Sequence, residues 1–263
     1  MNNIKLLALA GILLLCANTT QAQENPKGAL SVDLLSAYLW RGTDKGSICV
    51  QPTGEVKWHD ATARITGSVG ARREDVKEID ISLGYKWREF NVGLTDYWQS
   101  GLDSDGRDLY FNYDPHRSGH RFEVNLGYTH KYFAVQAYTM VYGNDFKYNN
   151  LAEVNAMTGK RAFSTYIELS APFSWAELEW DARLGITPFA GANTLKKVGE
   201  REGFPLVQKD YFYANGFTCV LASLRITKKI NMANLSLPIF AELHANPYLK
   251  KANFLVGLRI APF

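Results

Sequence analysis

Along residues 252–263 the large apolar side chains Phe254, Val256, Leu258 and Ile260 fall on every second position, with Asn253, Gly257 and Arg259 among the residues between them. A period of two is that of a β-strand with two unlike faces. Segments of the same kind recur at 29–41, 48–58, 61–71, 79–88, 90–98, 121–130, 132–142, 163–172, 175–187, 214–226, 234–245 and 252–263, about twelve in all. Tight connections fall at His59-Asp60, Glu89, Lys131, Phe173-Ser174 and 227–233; longer ones fall at 42–47, 72–78, 99–120, 143–162, 188–213 and 246–251. Long and short alternate strictly, with both ends of the chain on the short-turn side. Residues 107–113 are weakly strand-like and are read as a hairpin arm inside a loop, because a spanning strand there would break the alternation. The pattern predicts an all-β, antiparallel up-and-down barrel of about twelve strands, with the loop asymmetry and even strand count of a transmembrane barrel.

The composition of the two faces sharpens this. One face carries Leu30, Val32, Leu34, Tyr38 and Trp40, then Ile65, Val69, Ile79, Ile81, Leu83, Tyr85 and Trp87, and continues in the same manner to Leu237, Ile239 and Leu243. Its one charge is Asp96, in a chain that is 21% charged. The other face collects Glu55, Lys57, Arg64, Asp80, Lys86, Arg121, Glu123, Glu168, Glu177, Glu179, Asp181, Arg183, Glu242 and Arg259. Alternation alone does not say which face points inward, since a soluble barrel shows the same pattern turned inside out. Aromatic residues decide for the membrane version. Trp58, Trp87, Phe133 and Trp175 sit beside short turns, and Tyr38, Trp40, Trp98 and Tyr142 lie towards the long loops, as two interfacial girdles require. Twelve strands also enclose more space than side chains readily fill. The charged face is therefore expected to line a lumen, with Arg41 pointing into it.

The ends of the chain agree. Lys5 precedes the apolar run 6–15, and Thr20-Gln21-Ala22 offers a small-x-small cleavage site before Gln23, so 1–22 reads as a secretory leader and 23–263 as the barrel. Cys16 follows Leu15, where a lipoprotein signal carries a small residue. The closing strand ending on Phe263 resembles the signal by which outer-membrane barrels are recognised for insertion. The expected location is the outer membrane of a Gram-negative bacterium, with both termini periplasmic. Without the leader the chain carries 28 Lys+Arg against 26 Asp+Glu, a balance that argues against nucleic acid as a partner. Cys49 and Cys219 make no disulfide framework and read as small packed residues. No run approaches the ~18 apolar residues of a membrane helix.

The first strand and its loop read Ser36-Ala37-Tyr38-Leu39-Trp40-Arg41-Gly42-Thr43, followed by Lys45-Gly46-Ser47 and Pro52. This resembles the mature N-terminus of Gcw_chp, a family of exported Gram-negative proteins of unknown function. The resemblance implies an outer-membrane barrel and supplies no activity. On this reading Tyr38 and Trp40 face lipid at the outer interface, Arg41 points inward and Gly42 permits the turn. A luminal salt bridge from Arg41 to a neighbour such as Glu55 competes with a functional role for the residue.

Candidate chemistry is sparse. His59 and His130 stand at short turns, His116 and His120 in a long loop, and His244 on the polar face. Asp114, His116 and His120 have a spacing that could grip a metal, but the segment is rich in turn formers and charge and reads as a solvated loop. Glu177, Glu179 and Asp181 lie along one face and could bind cations if unpaired; luminal bases such as Arg64, Lys86, Arg121 and Arg259 are the more natural partners. No His-x-Ser pair shares a strand face. No cofactor or metal is expected. The leading expectation is a monomeric, non-enzymatic barrel in outer-membrane lipid that passes small polar solutes with weak selectivity. A closed barrel acting as a structural or docking protein through 99–120 and 188–213 is the alternative, and a lipid-modifying enzyme using His116, His120 or His244 is the third.

Overall fold

Each alternating segment satisfies its backbone by pairing with its neighbours in the computed structural model, which describes residues 25–72, 75–100, 109–201, 204–232 and 235–261. Residues 1–24, which include the expected leader, and Phe263 lie outside the described residues. In chain order the elements are β1 (Lys27–Leu35), β2 (Tyr38–Trp40), β3 (Thr43–Gly46), β4 (Cys49–Trp58), β5 (Ala61–Gly70), β6 (Glu78–Trp87), β7 (Phe90–Gln99), β8 (His120–Thr129), β9 (Ala134–Gly143), β10 (Phe146–Lys147), the short helix α1 (Leu151–Ala156), β11 (Lys160–Arg161), β12 (Thr165–Trp175), β13 (Leu178–Thr187), β14 (Asn193–Arg201), β15 (Phe204–Tyr211), β16 (Thr218–Met232), β17 (Leu235–Asn246) and β18 (Lys251–Ile260). β2–β3, β10–β11 and β14–β15 are small two-stranded sheets within the long loops. The other twelve strands form one antiparallel ring, closed where Val32 of β1 stands opposite Ile260 of β18 and Leu35 opposite Gly257. Closure leaves no unpaired edge, the condition for strands to cross a bilayer.

The wall is apolar outside and polar inside. Leu30, Ile65, Leu83, Leu126, Leu184 and Phe254 are exposed on it, whereas Glu78, Glu123, Glu242 and His244 are buried at positions of opposite parity. Trp58, Trp87 and Trp175 are exposed beside the short turns. A surface of this kind suits acyl chains and would aggregate in water.

Four local readings change, one being that the connection expected at 227–233 is strand up to Met232, where β16 ends. The first strand ends at Leu35, not at Arg41. Ser36 takes over the ladder there: its N–H donates to Val256 O (2.9 Å) and its hydroxyl accepts from Val256 N–H (2.9 Å), so β18 is satisfied while the chain leaves the wall. Phe173 and Ser174 lie inside β12, and the turn is Ala176-Glu177, both with positive φ (51° and 59°) as a two-residue hairpin loop requires. Glu177 is thus a turn residue and leaves the set of luminal candidates. The described part of the expected hairpin arm at 107–113 is turn and irregular chain, without strand.

Candidate functional site

The segment that leaves the wall at Ser36 folds back into the bore. β2 and β3 form a hairpin around Arg41 and Gly42, with Trp40 opposite Thr43 and φ of 45° and 83° at the two loop residues. Glycine is required at the second: a Cβ there would stand 1.8 Å from Val220 O. The hairpin touches both sides of the barrel. At one side Tyr38 and Lys45 reach Glu78 on β6; at the other Gly42 meets Val220 on β16 and is held by His244 and Asn246 on β17. β6 and β16 are six places apart in a ring of twelve, diametrically opposed. The hairpin is a bar across the lumen.

Arg41 is its anchor. Nη1 donates to Glu123 Oε2 (2.5 Å) and to the Tyr213 hydroxyl (2.6 Å), Nη2 donates to Glu123 Oε1 (2.8 Å), and the Tyr97 hydroxyl donates to the same carboxylate (2.9 Å). The guanidinium lies 4.0 Å from the Tyr138 ring centre, 4.6 Å from Trp40 and 4.9 Å from Tyr166, so its faces are covered by aromatic rings while its edges are hydrogen-bonded. Lys45 is a second anchor, with Nζ 3.1 Å from Glu78 Oε2 and 4.2 Å from the Trp40 ring centre. The Tyr38 hydroxyl donates to Glu78 Oε1 (2.6 Å), and Gln99 donates to the same carboxylate. Gln99 Oε1 accepts in turn from Arg121 (3.1 Å). Gly42 N–H donates to His244 Nε2 (3.1 Å), and Asn246 donates to Gly42 O (3.0 Å). Beneath the hairpin a small apolar seat of Leu35, Cys49, Phe240 and Leu255 receives Tyr38, and Gly257 leaves room for the Phe240 ring. At the outer edge Ser47 donates to Asp75, and this bond, followed by that from the Arg72 N–H, holds the Asp75 carboxyl below its usual range. The loops above are tied to one another: Ser164 donates to buried Asp145, whose carboxyl burial pushes upward, and accepts from Ala192 N–H (2.7 Å).

Tyr38 and Trp40 therefore do not face lipid. Tyr38 is buried in the bore, and Trp40 packs on Tyr97, Phe212 and Tyr213. Arg41 does point inward, but its partner is Glu123. Glu55 pairs instead with Lys57 (2.9 Å) and Arg64.

Further towards the short turns the luminal face carries ion pairs. Asp33 pairs with Arg259 (2.6 Å), Asp181 with Arg183, Glu242 with Arg225 (2.7 Å) and Glu179 with Lys229 (2.6 Å). Hydroxyl and amide pairs fill the gaps, among them Thr53–Thr66, Ser82–Thr95 and Asn91–Gln136. The acids at 177, 179 and 181 are each beside a base, Glu177 being 3.6 Å from Lys228. Tyr166 donates to Glu168 (2.7 Å), Asp80 is half-buried next to Glu78 with Oδ1 lacking a hydrogen-bond partner, and Lys86 is exposed near the short-turn rim. Accessibility changes along the axis: the side chains of Glu78 and Glu123 are 1% and 2% exposed at the barred end, those of Arg64 and Arg259 52% and 49% at the other. Luminal side chains are thus buried at the barred end and solvent-exposed at the short-turn end.

The histidines separate. His120 opens β8 on the outer wall, fully buried, and is not in a solvated loop; Nδ1 is 2.9 Å from Asp96 of the apolar face. His116 stacks on Phe146 at 3.9 Å. No described cluster of three His, Cys, Asp or Glu could hold a metal. His244 stands directly across from Ser223. Because its Nε2 accepts from Gly42, its proton sits on Nδ1, which cannot then take one from the serine. The residues that sequence reasoning passed over are Lys45, Glu78, Tyr97, Tyr138, Tyr166 and Tyr213. A signal existed for three of them: tyrosines at polar-face positions of three strands are unusual in a water-filled bore.

No protein-family model and no curated protein matches the chain, so the resemblance to Gcw_chp rests on the residues from Ser36 to Pro52 alone. Similar solved structures include a chain from work on the in-meso crystallisation of membrane proteins, at 9% identity over 89% of this chain and 82% of that one with a TM-score of 0.44. An outer-membrane channel from Pseudomonas putida F1 is similar at 14% identity over 94% and 99%, TM-score 0.41. CdiB from Acinetobacter baumannii is similar at 9% identity over 92% of this chain and 60% of that one, TM-score 0.37. Likeness at this level says nothing about what passes through or binds to the barrel.

Proposed function

We propose that this chain is an outer-membrane barrel of a Gram-negative bacterium that passes small polar solutes through a weakly selective bore, held shut by its own β2–β3 hairpin. The observation that carries the reading is how the bar is fastened. It is joined to the wall through ion pairs and hydrogen bonds, with an apolar seat under Tyr38 and a second packed cluster in which Trp40 meets Tyr166, Tyr213, Val220 and Leu221, while the luminal side chains towards the short turns form ion pairs of balanced sign. The polar fastenings exchange for water at modest net cost. Balanced luminal charge favours weak selectivity between anions and cations. Replacing residues 37–47 by Gly-Gly-Ser and recording in planar bilayers tests this. The shortened chain should conduct with larger unitary steps than the full chain and admit small sugars in liposome swelling. A shortened chain that folds and neither conducts nor admits sugars ends the pore reading.

A second reading, a closed barrel that docks a partner, draws on the β14–β15 hairpin, which exposes Val198, Leu206 and Val207. Deleting residues 194–210 should then abolish partner capture with no change in conductance.

A further inference from the structure

On the outer wall Asp96 pairs with His120 at the long-loop end of β7 and β8. A carboxyl–imidazole pair facing acyl chains is costly unless something covers it. The cover is the loop that precedes β8. The backbone carbonyl of Tyr110 lies 2.5 Å from His120 Nε2, the Tyr113 ring stacks on the imidazole with centres 4.2 Å apart, and Tyr110 packs edge-on against Trp98 at 5.3 Å. The hydroxyl of Tyr142, another outward residue, donates to Tyr113 O (2.9 Å). The loop thus lies against the outside of the barrel, in the place lipid would take, and does not stand up into solvent. Its far side is apolar: Leu109 is 63% exposed and Phe111 86%, with Tyr113 exposed beside them.

We infer that residues 109–113 form a lipid-contacting collar, whose occupant is the acyl chains of the outer leaflet. The layer is continuous with the lipid-facing wall, resting on Trp98, His120 and Phe122. Residues that cover a wall from lipid must themselves meet lipid, and an aromatic side chain left in water at this exposure gains nothing. The inference rests on the apolar wall facing lipid and is independent of any pore.

Photo-crosslinking tests it. The photoreactive analogue p-benzoylphenylalanine is placed at position 111, at position 83 on the wall, or at exposed position 114, and the protein is irradiated in phosphatidylethanolamine–phosphatidylglycerol vesicles containing radiolabelled phospholipid. Adduct yield at 111 should be comparable to that at 83, with 114 at background. Adducts at 83 but none above background at 111 overturn the collar alone. No adducts at either position overturn the lipid-facing wall and the collar with it.

Discussion

Arg41 and Glu123 meet through two hydrogen bonds, 2.5 and 2.8 Å, between residues 82 positions apart, one on a loop hairpin and the other on the barrel wall. Removing one member of such a buried pair strands the other, at a cost of about 3–5 kcal/mol. Glu123→Gln should therefore loosen the hairpin and raise open probability in single-channel recordings. The exchange Arg41→Glu with Glu123→Arg should recover only part of the seal, because the aromatic rings that cover a cation repel a carboxylate.

Gly42→Ala places a methyl group against Val220 O and asks alanine to hold a φ of 83°. The hairpin should fail to seat while the wall is untouched. The expected result is conductance close to that of the hairpin-deleted chain with unchanged heat-modifiable mobility on gels. A sealed G42A barrel would show that the hairpin tip does not depend on this contact.

His244 gives a finer probe of the same tip. His244→Phe leaves the Gly42 N–H without an acceptor, costing about 1–3 kcal/mol if the group stays buried. His244→Gln keeps an acceptor. Open probability should rise in the first and stay near the parent value in the second; equal effects would assign the residue a packing role.

The orientation of the wall is tested by paired substitutions. Leu83→Arg, facing lipid, should cost ~2–4 kcal/mol near the midplane in urea-titrated folding into vesicles. Thr66→Arg should be tolerated, since Thr66 faces the bore, where its hydroxyl lies 3.1 Å from that of Thr53. Equal damage from both changes would contradict the assignment of faces.

Much of the barrel was legible because its signals are local. The expected strand at 79–88 is β6 at Glu78–Trp87, and that at 90–98 is β7 at Phe90–Gln99. Asp96 stood out as the one charge on the apolar face, but its partner could not be found by alternation, since His120 read as part of a loop. The hairpin misled for a related reason. Tyr38 and Trp40 continue the parity of Leu30, Val32 and Leu34, and only the pairing of Ser36 with Val256, 220 residues away, ends the strand before they reach the wall.

Period-two alternation, the lengths of the connections and the sorting of charge onto one face determined the strand number, the order of neighbours and the two surfaces of the ring. These follow from the pleat of an extended chain, which acts residue by residue. That the segment from Tyr38 to Gly46 crosses the bore was decided by the folded ring alone. Its partners Glu78, Glu123, Tyr213 and His244 lie on separate strands and loops, and they become one site only when closure brings opposite walls within reach of a single guanidinium and a single ammonium group.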